Sequence, residues 1–173
     1  QGRQKAKLNR SDDASIKEAV KKSEDIARVS PDNKEFMPPP GAQNYVTATN
    51  FSSDTENLTG EKRSDKVAYV IEQSIANSVT SAGYMEDGAT FYALMNTNGL
   101  FAYNKSSMAK LSSTIRTNDG TGSGRFEKNY VDVNKINGSG LADWAINRSK
   151  LSVNPQEIKP GRYTVILGHA AAA

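Results

Sequence analysis

The sequence contains no cysteine and a single histidine, His169, in 173 residues. Without cysteine there is no disulfide framework and no thiolate ligand, which favours a cytoplasmic chain. A zinc site takes three or four ligands, usually His and Cys, and one histidine does not supply them. Nor can a Ser-His-Asp arrangement be built on it, and no G-x-S-x-G elbow occurs. The acids of "DDASIKEAVKKSED" sit in a lysine-rich helical pattern without EF-hand spacing. We therefore expect no catalytic residue, no metal ligand and no cofactor in this chain.

Long apolar runs are also absent. None approaches the roughly 20 residues that a spanning helix needs. The opening "QGRQKAKLNRSDD" has no apolar middle of the secretory kind, and the mean hydropathy is −0.63. A membrane role is not expected, although 36% hydrophobic residues suffice for one core. Charge of one sign is scarce too: 22 Lys and Arg stand against 19 Asp and Glu, a net charge of +3. The pI near 9.0 invites a nucleic-acid reading. The densest groups, "SIKEAVKKSED" and "GEKRSDK", mix signs at helical spacing, so a solvated helix face outweighs a phosphate-binding stripe and nucleic acid is disfavoured.

What is present reads as alternating helical and extended periods. Residues 2–9 fit an edge strand or a disordered arm. Ser11 as N-cap, then Ile16, Ala19, Val20, Ser23, Ile26 and Ala27 on one stripe, predict a helix over 12–29. About thirty residues without helical period follow, with Pro38, Pro39 and Pro40 holding polyproline geometry and Phe36, Met37, Tyr45 and Phe51 apolar enough to pin the arm. A second helix is predicted over 61–82, with Gly83 in the left-handed position after it. Two β-rich runs then flank Asn98-Gly99, a hairpin signal. "SMAKLSSTIRTND" reads as a third strand and "RFEKNYVDV" as a fourth. Ser139 would cap another helix through Arg148, and "RYTVIL" would close the sheet. The fold class expected is α+β, an antiparallel sheet of about four to five strands packed against two or three helices. Residues 1–173 form one such region, with a helix and Pro-rich arm over 1–60 and helix, hairpin strands, helix and closing strand over 61–168.

"DGTGSGR", residues 119–125, looks at first like a phosphate cradle. Its GxGxG spacing hands over to a strand-like run instead of a helix N-terminus. A flexible inter-strand connection is the plainer reading. A glycine-rich edge that lets another backbone come close is a third. Gly120, Gly122, Gly124 and Arg125 are the candidate peptide- or anion-binding residues. Trp144, Tyr69, Phe91 and Tyr163 lie in apolar patterns and are expected in the core. Triplets such as "NFS" and "NGS" read as polar loop composition.

"PGRYTVILGHAA", taken with "RSDDASIKEAVKKSEDIARVSPDNKEFMPP", "NTNGLFAYN" and "IRTNDGTGSGR", resembles the middle segment of the TldD/PmbA family. Its members are known as predicted zinc-dependent peptidases and, in older language, as modulators of DNA gyrase. The resemblance implies a cytoplasmic two-subunit metallopeptidase, a homo- or heterodimer of related subunits, acting on unfolded or modified peptides taken up in extended form along a strand edge. It also implies that the zinc motif, a helical His-Glu-x-x-x-His with a distant Cys, lies downstream, and that one subunit type lacks it and serves as partner. Whether this chain belongs to an enzyme is thus left open. After "GRYTVIL" such a chain would continue "xPxAV"; His169 stands where a proline is commonly met and is not carried over as a zinc ligand. So apolar a strand running into four alanines leads us to expect a piece of a longer chain. The function expected is a non-catalytic scaffold or substrate-channel segment. The alternatives are a stand-alone peptide- or anion-binding module and the metal-free partner subunit.

Overall fold

The computed structural model describes residues 5–168 and 171–172, so His169 lies outside the described residues. α1 (Asp13–Val29) begins one residue later than its pattern implies, because Asp12 takes the cap in place of Ser11. The Asp12 carboxylate accepts from the Ser15 N–H at 3.0 Å and the Ser15 hydroxyl at 2.9 Å, two bonds that the single Ser11 hydroxyl would not match. No α1 residue is buried, and Ile16 and Val20 on its stripe stay exposed.

The arm that follows is held by hydrogen bonds more than by its aromatic residues. Phe36, Met37 and Tyr45 are exposed, contrary to expectation. The carbonyls of Pro39 and Pro40, free because polyproline geometry makes no internal hydrogen bonds, accept from the side-chain amides of Asn98 and Asn96 at 2.9 and 2.8 Å. Phe51 alone finds a partner of its own: Lys105 Nζ stands 3.8 Å from its ring centroid. The arm also carries a short helix, α2 (Ser53–Glu56), which periodicity does not reveal in four residues.

α3 (Gly60–Ala76), capped by Thr59, stops six residues before the predicted end. Ser78, at φ 54°, takes the left-handed position that the pattern assigns to Gly83. Val79 and Ala82 continue the helical spacing of three, yet they belong to β1 (Val79–Met95), where they fall on opposite faces, Val79 buried and Ala82 exposed. The turn from Asn96 to Leu100 is the expected one. Asn96 Oδ1 accepts the N–H groups of Asn98 and Leu100, and Gly99 supplies φ 85°.

β2 (Phe101–Thr117) fuses two runs expected as separate strands, since nothing between them breaks the extended period. β3 (Ser123–Tyr130) pairs antiparallel with it from Ala109↔Tyr130 to Arg116↔Ser123. The sheet order is β1-β2-β3, three strands where four to five were expected. The segment "RYTVIL" is not a strand. It has no regular secondary structure, its backbone joins no ladder and Ile166 is 97% exposed. α4 (Gly138–Leu151) completes the order. Its cap is Asn137, not Ser139, because Asn137 Oδ1 receives both the Gly140 N–H and the Ser139 hydroxyl.

The chain divides into two units: the described residues up to Gln43 with Met95–Phe101, and Asn44–Leu94 with the described residues from Ala102 onward. The core lies in the second, where Val70 of α3, Leu111 and Ile115 of β2, Phe126 of β3 and Ala142, Ala145 and Ile146 of α4 are buried together with Val133 and Ile136. Tyr69 packs on this core as expected, whereas Phe91, Trp144 and Tyr163 are at least half exposed. Phe91 and Trp144 have a cation beside the ring, Lys105 at 5.4 Å and Arg148 at 5.2 Å, in place of apolar packing. No helix among the described residues is long and apolar enough to cross a membrane.

Thr55 of α2 is fully buried and locks the end of β3. Its hydroxyl donates to the Val131 carbonyl at 2.8 Å and accepts from the Val133 N–H at 2.9 Å. Ser107 adds a second bond to Val131, and its own N–H reaches the Asn50 carbonyl at 3.0 Å. Thr55→Val keeps the shape but orphans the Val133 N–H. We expect a loss of about 1–3 kcal/mol, read as a fall in thermal midpoint of roughly 2–4 °C per kcal/mol; an unchanged midpoint contradicts the bridge.

Candidate functional site

β3 is an edge strand, and alternation along it assigns every backbone group. Thr117 N–H donates to the Gly122 carbonyl at 3.0 Å, so the residues paired in the same phase, Gly124, Phe126 and Lys128, turn their backbone groups toward β2. Ser123, Arg125, Glu127 and Asn129 therefore point theirs away from the sheet. Ser123 confirms the phase: its N–H and carbonyl are both taken by the Ser152 hydroxyl, at 2.7 and 3.0 Å. At Arg125, Glu127 and Asn129 no described group pairs with the outward backbone, which leaves an open strand edge.

The glycines decide what lies beside that edge. A Cβ on Gly122 would overlap the Ser149 carbonyl oxygen and come within 2.8 Å of Val153 Cγ2. On Gly124 it would overlap the Ala145 carbonyl oxygen and sit 2.9 Å from the Ser149 nitrogen. Both positions thus seat the backbone of α4 directly on β3. The next residues on that face are Phe126 and Lys128, and there the two elements part to leave a groove. Arg125 to Lys128 line one wall and Gly140, Leu141 and Trp144 the other, with Gly168 at one end and a volume of about 470 Å³. Trp144 is half exposed in this groove, and the Arg148 guanidinium lies 5.2 Å from its ring.

On the opposite, wet face Glu127 receives Arg125 at 2.7 Å and Lys110 at 3.1 Å. Arg125 first and Lys110 second hold the Glu127 carboxyl below its ordinary pKa. The Tyr84 hydroxyl and Glu127 hold the Lys110 ammonium above its own. In the turn before β3, Asp119 accepts from the Thr117 and Thr121 hydroxyls and the Thr121 N–H, which lowers its pKa.

The four residues singled out from the sequence fall into different surroundings. Gly120, at φ 76°, closes the turn with its N–H on the Thr117 carbonyl, and the Gly122 N–H is bonded to the Thr117 hydroxyl. Gly122 and Gly124 face α4, while Arg125 turns to Glu127. An anionic carboxylate, Asp119, occupies the turn that these residues border. Sequence reasoning missed Lys128, Leu141 and Trp144 as groove residues. The signal was the two-residue spacing Gly122, Gly124, Phe126, Lys128, small then large on one face. Among the described residues no three of His, Cys, Asp and Glu converge as a metal site, so the zinc that the resemblance implies does not fit side chains described in this chain.

No protein-family model matches the sequence, and no curated protein matches it either. Solved structures do. TldE from Thermococcus kodakarensis superposes with a TM-score of 0.72 over 84% of this chain at 14% identity. A protein from Thermotoga maritima described as a modulator of a DNA gyrase does so with a TM-score of 0.72 over 84% at 15% identity. The chain shares the fold of a segment of TldE. It spans about a third of the length of either structure, 34% in both cases. The resemblance read from the residues is thus met in the fold.

Two outcomes test this geometry. Gly122→Val should disturb packing, with a cost of about 1–3 kcal/mol as seen for overpacked sites, measurable by chemical denaturation; full stability would mean that α4 does not rest on β3. For Glu127 the depressed pKa means a contribution present above the unfolded value, about 4.3, and lost as pH falls through the lower folded value. Glu127→Gln should therefore lower the thermal midpoint at neutral pH, with the difference from wild type vanishing in strong acid. A constant difference across that range contradicts the ion network.

Proposed function

We propose that this chain is a non-catalytic scaffold and substrate-channel segment of a TldD/PmbA-type zinc metallopeptidase that acts on unfolded or modified peptides. The observation that carries this reading is the fold shared with TldE over 84% of the chain. The open edge of β3 supports it, because an extended peptide or a related subunit can add to such an edge as a further strand, whatever its sequence. Main-chain pairing suits a protein that must accept many peptides. The work of this segment is to hold chain extended, and the bond-breaking chemistry belongs to residues it does not contain. Zinc would supply a Lewis acid and an activated water when bound by the motif that the resemblance implies elsewhere in such a protein. The source is a cytoplasmic protein that pairs with a like or related subunit.

The test is a hydrolysis assay on a clean preparation of the 173-residue chain with zinc added and unfolded peptides supplied, followed by mass spectrometry. We expect no cleavage. Zinc-dependent turnover would overturn the assignment of the chemistry to other residues.

A further inference from the structure

The groove between β3 and α4 carries more information than an open edge alone. Its walls hold two apolar surfaces, Leu141 and the exposed half of Trp144, and one charged side chain on the α4 side of the strand, Lys128, while Arg125 and Glu127 border it from the strand edge. Glu127 is already neutralised by Arg125 and Lys110 on the wet face of the sheet. Lys128 stands in the phase of Phe126, on the α4 side, and no described group pairs with its ammonium. The Arg148 guanidinium lies 5.2 Å from the Trp144 ring. The charge that the groove presents is therefore positive, next to an apolar floor and a row of free backbone donors and acceptors.

We infer that this groove binds an extended acidic peptide as a fourth strand on β3, with apolar side chains on Leu141 and Trp144 and a carboxylate opposite Lys128. The inference deepens the reading above and rests on it for the supply of peptide; the selection for acidic, apolar sequences is its own. Backbone pairing to Arg125, Glu127 and Asn129 provides the register, and alternate side chains then fall on one wall, as strand geometry requires. The free ammonium provides the choice among sequences, since a like charge placed against it is penalised. The chain's own segment 162–167, which joins no sheet, ends at Gly168 beside the same groove and is the rival occupant. It carries no acid, which is why a different chain is favoured.

Trp144 is the single tryptophan, so its fluorescence reports the groove directly. The probes are a blocked octapeptide with Ser at every second position and Val and Glu alternating between them, so that both fall on one face, its counterpart with Lys in place of Glu, and the first peptide with alternate amides N-methylated. We expect a saturable blue shift with the first, binding at least about tenfold weaker for the second, and loss of binding for the third. Lys128→Glu should reverse the order of the first two and Lys128→Gln should level them, with both variants keeping the wild-type thermal midpoint. Equal binding of both charges, or binding of the N-methylated peptide as tight as its parent, overturns the inference. So does a response that appears only once residues 162–173 are removed, which would make that segment the occupant. So, too, does self-association in place of peptide binding, which would assign the groove to a second copy. Charge-blind binding would leave the proposed function standing, whereas zinc-dependent hydrolysis would remove that function and leave the groove result untouched.

Discussion

The contact on which the rest depends is backbone against backbone, where the absence of side chains at Gly122 and Gly124 lets the last turns of α4 settle on β3. One methyl group at either position would meet a helix carbonyl. Two residues later on the same face Phe126 fills the core, and two later again Lys128 stands between strand and helix. A gradient of side-chain size along one strand face thus converts a tight seam into a wedge. The groove is the open end of that wedge, and its position follows from where the glycines stop.

The same seam explains why the edge stays open. An edge strand is commonly blunted by charge, by a bulge, or by a covering element. Here α4 could cover β3, yet its backbone is drawn to the glycine end, and only Ser123 is reached by a capping hydroxyl, that of Ser152. Glu127, Arg125 and Lys110 hold the wet face of β2 and β3 together by charge, leaving the outward backbone without a partner. At the far end Thr55 and Ser107 take over the carbonyl of Val131, so the unpaired stretch is bounded on both sides.

Much of this was legible in the residues. The stripe of α1, the hairpin at Asn98-Gly99 and the α+β order follow from periodicity and turn chemistry, because each is set by neighbours in sequence. The glycine-rich edge was open to reading as well, through the spacing of "GTGSGRFEK". What escaped was whatever needed a third dimension. Val79 and Ala82 prolong the helical spacing of α3 although they stand on opposite faces of β1, so the end of α3 was placed too late. "RYTVIL" has every local mark of a strand and still pairs with nothing, since pairing is a property of the surroundings. Trp144 looked like core because its neighbours Ala142 and Ala145 are, yet at a helical step it turns to the groove.

The most direct measurement is amide hydrogen exchange along β3, resolved residue by residue. An open edge beside a glycine-seated helix predicts alternation in the free chain: slow exchange at Gly124, Phe126 and Lys128, and exchange orders of magnitude faster at Arg125, Glu127 and Asn129. Uniform protection along the strand would mean that the edge is already paired, and would contradict both the seam and the groove built on it.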